Sequence, residues 1–423
     1  MTFALSRRFT LGVAALAVLA VSVVASEGAA HASVPVPPPA PPTSTAYSAP
    51  VTVAGAPEAP WGGVEFQGKL FVTAQDANGS DRLYSFDGSA FALISDQIVD
   101  PYDLTVVGDK LYFSGTASNG NSVLYWFDGS EVDTTGVYST SYGRTITAYG
   151  NHVMVANPDS GTIHLIDYND GSINDIGTFE SITSMVTYGN EFYFAGTPDG
   201  SYARMYVYDT VLLVDLHPGD YYAPLVWNDQ LYLAFAAQNY GLYTLLPPPD
   251  WSLNPATFPL VEYVSELTDA GDRMYFRASN AVDSVLYSFD GTSATELTGS
   301  PIYPENLIMY NGSLIFTGNA TALTVCSVSE TSCGLPGGTF AYDGTRFTTI
   351  VGVPDSAGAF VTFQGRLYFT DNSVWKYIEP ASLADTGFDA ASAVTLGSMG
   401  ALAIALGLVV TAFLRARRKI PSL

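Results

Sequence analysis

Gly108-Asp109-Lys110-Leu111-Tyr112-Phe113, followed shortly by Leu124-Tyr125-Trp126-Phe127-Asp128-Gly129, is a unit that the chain repeats from about residue 47 onward. Its first half is a Gly-containing turn that runs straight into an apolar strand. That half returns as Gly68-Lys69-Leu70-Phe71, Gly150-Asn151-His152-Val153, Gly189-Asn190-Glu191-Phe192-Tyr193-Phe194 and Asn228-Asp229-Gln230-Leu231-Tyr232. It closes with Gly271-Asp272-Arg273-Met274-Tyr275-Phe276, Gly312-Ser313-Leu314-Ile315-Phe316 and Gly365-Arg366-Leu367-Tyr368-Phe369. Taken at the Leu position, the sites are 70, 111, 153, 192, 231, 274, 314 and 367, with intervals of 41, 42, 39, 39, 43, 40 and 53. The second half recurs in Leu83-Tyr84-Ser85-Phe86-Asp87-Gly88 and Leu286-Tyr287-Ser288-Phe289-Asp290-Gly291, and its end in Tyr168-Asn169-Asp170-Gly171 and Tyr342-Asp343-Gly344. Asp-Gly between apolar runs predicts a hairpin with a type I′ turn, because both residues tolerate positive φ. Helical periodicity is absent between residues 47 and 380, so each unit reads as four short strands.

A four-stranded repeat of this length is the size of one blade of a β-propeller. A blade packs through both faces, so its strands are continuously apolar rather than alternating. The expected fold is all-β, an eight-bladed β-propeller over residues 47–380. Seven blades is the alternative, since Pro247-Pro248-Pro249 interrupts the fifth unit. The last unit lacks an outer strand after Trp375-Lys376-Tyr377, and a spare β-like run, Ala49-Pro50-Val51-Thr52-Val53-Ala54, precedes the first. That run is expected to complete the last blade. The repeats loosely resemble the degenerate propeller repeats of large bacterial surface proteins.

Both ends carry address-like segments. Arg7-Arg8, an apolar stretch from Leu11 to Val24, and Ala30-His31-Ala32 before Ser33 have the layout of a secretory signal peptide over residues 1–32, cleaved between Ala32 and Ser33. Sec export fits better than the twin-arginine route. A Pro-rich linker at 33–46, with Val34-Pro35-Val36-Pro37-Pro38-Pro39, favours extended polyproline II. After a spacer from 381 come Leu383-Ala384-Asp385-Thr386-Gly387, an uncharged apolar span at 391–414 and a basic tail at 415–423. The span is long enough for a transmembrane helix, at about 1.5 Å per residue, and the cations after it favour the cytoplasmic side. In this order the three features resemble the sorting signal of sortase substrates of Gram-positive bacteria, in an LAxTG variant similar to that of actinobacteria, with Ala384 where Pro is usual. The resemblance implies that a sortase transpeptidase cuts between Thr386 and Gly387 and joins Thr386 to a cell-wall precursor. A plain C-terminal membrane anchor is the alternative.

The two ends hold six of the 16 Lys and Arg and two of the 40 Asp and Glu, which leaves residues 33–386 with a net charge of −28. Such a surface opposes nucleic acid, whose binding depends on cations that neutralise phosphates. The two cysteines, Cys326 and Cys333, fall in the exported part, where disulfides persist, and their spacing suits a bridge across a hairpin loop. No metal site or cofactor is expected. His-Glu-x-x-His, Gly-x-Ser-x-Gly and phosphate-binding Gly loops are missing, and so is a sialidase-type Asp box. His152 and His164 read as structural; His217, beside a turn, is the histidine better placed to face a groove. Asp76-Ala77-Asn78-Gly79-Ser80-Asp81 and Asp167 to Asp175 resemble shortened calcium loops, but turn chemistry explains them better. Tyr138, Tyr142, Tyr202, Tyr221, Tyr222, Tyr240, Trp251 and Tyr303 lie outside the repeat signatures and are the rings available for contacts. The expected function is a non-catalytic, wall-anchored module that binds a glycan or protein ligand. Alternatives are a polysaccharide-active enzyme with channel carboxylates, or a structural envelope protein.

Overall fold

The computed structural model describes residues 47–139, 145–198, 203–210, 213–218, 221–235, 241–245, 253–256, 262–279, 283–320 and 337–381. Every regular element among them is a strand, and the strands form eight four-stranded antiparallel sheets. The blades span 58–93, 99–139, 145–179, 181–218, 221–255, 262–296 and 302–349, with 358–378 plus Val51–Thr52 as the eighth. In each, the first strand packs against the first strands of its two neighbours, and the last of these contacts joins blade 8 to blade 1. The ring is therefore closed and the first strands line its channel. We call the face on which they begin the upper face, and the opposite one the lower.

Eight blades are present despite Pro247-Pro248-Pro249, which lies outside the described residues. The fifth blade simply resumes with a short outer strand, Leu253–Pro255. The expected closure is found. Val51 and Thr52 pair with Tyr377 and Lys376. Ser48 N donates to Glu379 O at 2.8 Å, Val53 N donates to Trp375 O at 3.0 Å, and Tyr47 bridges to Pro380.

The hydrophobic core is divided among the interfaces. Eight clusters of buried side chains each join consecutive blades, as Phe71 and Leu83 of blade 1 meet Leu111 and Phe113 of blade 2, and as Tyr193 and Met205 of blade 4 meet Leu231 and Leu233 of blade 5. The seam between blades 8 and 1 is the most aromatic. Phe86 packs on Phe91, Phe363, Tyr368 and Trp375, with ring centroids 4.5–6.2 Å apart, and Tyr368 stacks on Trp375 at 4.7 Å. Each buried ring contributes about 1.5–3 kcal/mol, against about 1 kcal/mol net for a backbone hydrogen bond. Ring packing therefore outweighs the two-residue strand in holding the circle shut.

A second set of contacts stitches the lower face. The last residue of the inner strand reaches into the first hairpin turn of the next blade. Tyr149 Oη donates to Asn190 O (2.8 Å), Tyr188 Oη to Asp229 O (2.7 Å), Trp227 Nε1 to Gly271 O (3.1 Å) and Tyr310 Oη to Gly365 O (2.9 Å). Where the strand ends in Phe66 or Phe363, the ring has no donor and the next residue substitutes. Gln67 Nε2 donates to Asp128 O at 2.9 Å, and Gln364 Nε2 to Asp87 O at 3.2 Å.

The Asp-Gly turns differ from the expected type I′ geometry. Phe86 pairs with Phe91, which leaves a four-residue loop in which Gly88 has φ +97° and Asp87 is not left-handed. The Asp87 carboxylate braces it, accepting from Ser89 N (2.8 Å) and Ala90 N (2.9 Å). Asp128, Asp290 and Asp343 do the same. Of the Asp-Gly pairs, Asp170-Gly171 has both residues at positive φ. Other two-residue turns with paired positive φ occur in first hairpins, at Gln67-Gly68, Asn228-Asp229, Asn311-Gly312 and Gln364-Gly365, and in second hairpins, at Ser160-Gly161 and Asn372-Ser373.

Gly88 and Gly344 have similar φ, +97° and +93°, but a methyl on Gly88 would fall on the Gln364 amide, whereas one on Gly344 meets nothing. Gly344→Ala is expected to cost backbone strain alone, about 1–3 kcal/mol. Gly88→Ala should cost about 1 kcal/mol more, for the Gln364 bridge. Denaturant unfolding measures both, and equal losses would show that the bridge contributes nothing.

Candidate functional site

The inner strands are not regular. In blade 1, Glu58, Trp61 and Val64 face Gln75, Thr73 and Phe71, so three residues advance against two, twice in succession. Blades 2, 6 and 7 repeat this double bulge. Two residues in each take positive φ: Ala59 and Gly62, Asp100 and Asp103, Tyr263 and Glu266, Tyr303 and Asn306. Blades 5 and 8 have one such residue each, Ala223 and Ala359, and the inner strand of blade 3 is regular. For Tyr and Glu this conformation is costly, and such strain gathers at functional sites. Bulges also turn side chains out of the ladder.

The bulges of blades 1 and 2 are fixed from the neighbouring blade. Thr73 Oγ1 donates to Pro101 O at 2.8 Å, and Thr370 Oγ1, the same position in blade 8, donates to Pro60 O. Ser114 is the equivalent donor of blade 2 and faces the unbulged blade 3. Its buried hydroxyl has no partner among the described residues.

Chemistry follows the bulges. The inner strands of blades 1, 2, 6 and 7 carry Glu58, Asp100, Asp103, Glu262, Glu266 and Glu305 toward the upper face, while those of blades 3, 4, 5 and 8 carry no carboxylate, and none of the eight holds Lys, Arg or His. The exposed rings Trp61, Tyr263 and Tyr303 lie on the same arc. Glu305 meets Arg277 at 3.2 Å. Asp103 accepts no hydrogen bond from the described residues. Asp103 is exposed to solvent, but the packed inner strands around it still desolvate its carboxyl and push it up to about 6. In a ring of eight, blade 2 lies opposite blade 6, so Asp103 and Glu266 occupy facing positions. The lower-face carboxylates are engaged instead: backbone and hydroxyl donors hold Asp87, Asp128 and Asp290 down to about 2.

The residues singled out from the sequence fall unevenly. His152 Nδ1 lies 2.6 Å from Asp167 Oδ1, and His164 Nδ1 lies 2.8 Å from Asp175 Oδ2, which is the structural role expected. Asp167 also accepts from Tyr208 Oη at 3.0 Å. Asp76 accepts from Asn78 N, Ser80 N and Arg82 Nε at 2.8–3.1 Å, so its loop is closed by its own backbone. Among the described residues no group of three or more metal-ligating side chains occurs. His217, Tyr221 and Tyr222 lie on strands whose side chains there are outside the described set. Tyr138 and Tyr303 are exposed, as expected of rings outside the signatures. Outside the described residues lie Tyr142, Tyr202, Tyr240, Trp251, Cys326, Cys333, the signal peptide with Ala32 and Ser33, the 33–46 linker, the Leu383 to Gly387 motif, the 391–414 span and the basic tail. Trp61, Asp100, Asp103, Tyr263 and Glu266 were missed as a group. The signal was Pro60-Trp61-Gly62, Pro101-Tyr102-Asp103 and Pro304-Glu305-Asn306: Pro, one residue, then a residue tolerant of positive φ, at one position in the repeat.

Fold and site together define the class as an eight-bladed β-propeller with one polar, strained arc on its upper face. No family model matches the chain, and no curated protein matches it. Among solved structures it is similar to a puromycin-hydrolysing peptidase of Mycobacterium tuberculosis (12% identity, TM-score 0.45), of which it covers 59% with 77% of its own length. It is also similar to the WD40 domain of SCAP from fission yeast (10%, 0.48, 95% of that chain and 79% of this one). A third similar structure is the β-propeller domain of the Trilobed protease from Pyrococcus furiosus (9%, 0.45, 98% and 70%). The chain thus spans less than two thirds of the mycobacterial peptidase. At such identities the likeness concerns the fold alone.

A raised carboxyl favours the protonated native state, so Asp103 costs stability as pH rises from about 4 to about 6. Asp103→Asn should leave the melting temperature unchanged below pH 4 and raise it modestly at pH 7. Thermal melts of both proteins across that range test this; equal curves throughout would mean that Asp103 ionises freely. The lower-face aspartates act oppositely. Their contribution is complete above about pH 4 and is lost as pH falls through about 2.

Proposed function

We propose that the chain is a surface-displayed binding module, anchored to the cell wall through Leu383-Ala384-Asp385-Thr386-Gly387, whose propeller holds a glycan or protein ligand on the upper arc. The observation that carries this reading is the concentration of left-handed non-glycine residues, exposed rings and inner-strand carboxylates, of which Glu305 alone is ion-paired among the described residues, on blades 1, 2, 6 and 7, on a scaffold otherwise tied by regular stitches. The acidic surface favours neutral or cationic ligands. Proposed partners are the sortase transpeptidase, the wall precursor and the arc's ligand. Between Tyr377 and Leu383 the chain reaches at most about 18 Å, which would hold the propeller near its attachment point and make envelope components its nearest ligands.

A second reading, cleavage of a polysaccharide, rests on Asp103, whose carboxyl near 6 suits a general acid facing Glu266 across the channel. Assays for reducing-end release from wall and plant polysaccharides separate the two. Saturable binding without turnover supports the module, and turnover lost in Asp103→Asn supports the enzyme.

Anchoring has its own test. In the native host, Thr386→Ala should remove the chain from detergent-extracted wall and shift it to the membrane or medium. Unchanged wall attachment of that variant would sink the sortase reading.

A further inference from the structure

One part of the arc has the elements of a defined ligand site. Trp61 is 40% exposed although it stands on an inner strand. It is flanked by Gly62, whose φ is +61° and whose missing side chain leaves open space beside the ring. Its indole N–H and the amide of Gln75, which faces Asp81 across the ladder, lie on the Asp81 side and hold that carboxyl down. The ring thus stands partly exposed, with its polar edge on the side of Asp81.

Asp100 is brought to the same place from blade 2. Thr73, opposite Trp61, donates to the carbonyl of Pro101, so Asp100, the residue before it, is held near the rung that carries Trp61. Asp81 is pushed up by burial and then by the negative charge of Asp100. Arg82, the cation alongside, is turned away, donating to Asp76 Oδ2 (3.1 Å) and to the carbonyls of Asp96 (3.0 Å) and Ile98 (2.9 Å). The next rung, Glu58 opposite Gln75, opens into a cavity of about 450 Å³ at the closure seam, lined also by Asp76, Tyr84 and Phe91. Asp76 is saturated by its own turn, so Glu58, the amide oxygen of Gln75 and the Tyr84 hydroxyl are the groups available there.

A flat apolar face with a planar amide and carboxylates at its edge is chemistry for a pyranose. The C–H face packs on the indole, and the hydroxyls donate to carboxylates that are acceptors only. Two adjacent carboxylates with no cation between them favour a ligand that brings one, and an anionic ligand would be repelled. We propose that blade 1 and its seam bind a sugar with a free amino group, its ring on Trp61, its ammonium between Asp81 and Asp100, and the adjoining sugar in the cavity beside Glu58 and Gln75. This rests on the binding-module reading and names the ligand class for one part of its arc.

The test is calorimetric titration of the full-length chain with glucosamine oligosaccharides and with their N-acetylated twins. The free-amine form should bind, and the N-acetylated form should bind about tenfold more weakly or worse. Trp61→Ala should abolish binding, and Trp61→Phe should retain part of it. Asp100→Asn should reduce the free-amine form to the level of its twin. Melting temperatures matched to the native chain exclude misfolding, and Asp100→Asn keeps the test open if Trp61→Ala does not fold. Equal affinity for the two sugars, or unchanged binding by folded Trp61→Ala, overturns the proposal. Saturable binding of a wall fraction without binding of the free-amine sugar overturns it too, yet leaves the module reading standing; no binding to either removes both.

Discussion

Everything in this molecule depends on the ring being shut. No blade has a core of its own. Each buries its rings against a neighbour, so an open chain of blades would leave Phe86, Tyr368 and Trp375 in water at its two ends. The closing strand is only two residues long. The aromatic seam supplies the larger energy, and the strand supplies register, fixing blade 8 against the first residues of the domain. Closure and core are one event, and folding should be correspondingly cooperative across distant parts of the sequence.

The blade repeat was legible in the chain because it is written in the second strand, the one buried on both faces. Leu-Tyr-Phe triplets such as Leu111-Tyr112-Phe113 cannot vary much when both sides are packed. Closure by residues 49–54 was legible for a related reason: an unpaired strand at one end matched a missing one at the other. The inner strands were not legible. Their sequences, Glu58–Phe66 and Glu262–Asp269 among them, follow neither a strict alternation nor an apolar run. A bulge adds a residue and shifts the pleat, so period-two reading fails where the side chains matter most. The Asp-Gly turns misled in the same way. Local preference pointed to two-residue turns, whereas the register of the third and fourth strands makes four-residue loops braced by the Asp carboxylate.

The two faces differ in what their acidic groups do. On the lower face, carboxylates are held by backbone N–H groups in loops that recur from blade to blade, and Tyr, Trp or Gln donors tie one blade to the next. That face is built for cohesion. On the upper face the same residue types stand on strained backbone in blades 1, 2, 6 and 7, mostly without partners. The inner strands of blades 3, 4 and 5, and that of blade 8 between blades 7 and 1, are uncharged. An acidic composition that reads as simple solubility is therefore distributed between two different environments.

The bridge between Tyr47 and Pro380 brings the two ends of the propeller to one spot on its rim. A tension applied beyond residue 381 would enter through Val374–Ile378, a strand flanked on both sides by ladders, from Arg366–Asp371 and from Val51–Thr52. Those hydrogen bonds would have to yield together, in shear, before any other blade felt the strain. The ladders beside that strand and the Phe86, Tyr368 and Trp375 seam would thus be the first parts of the ring to carry the load.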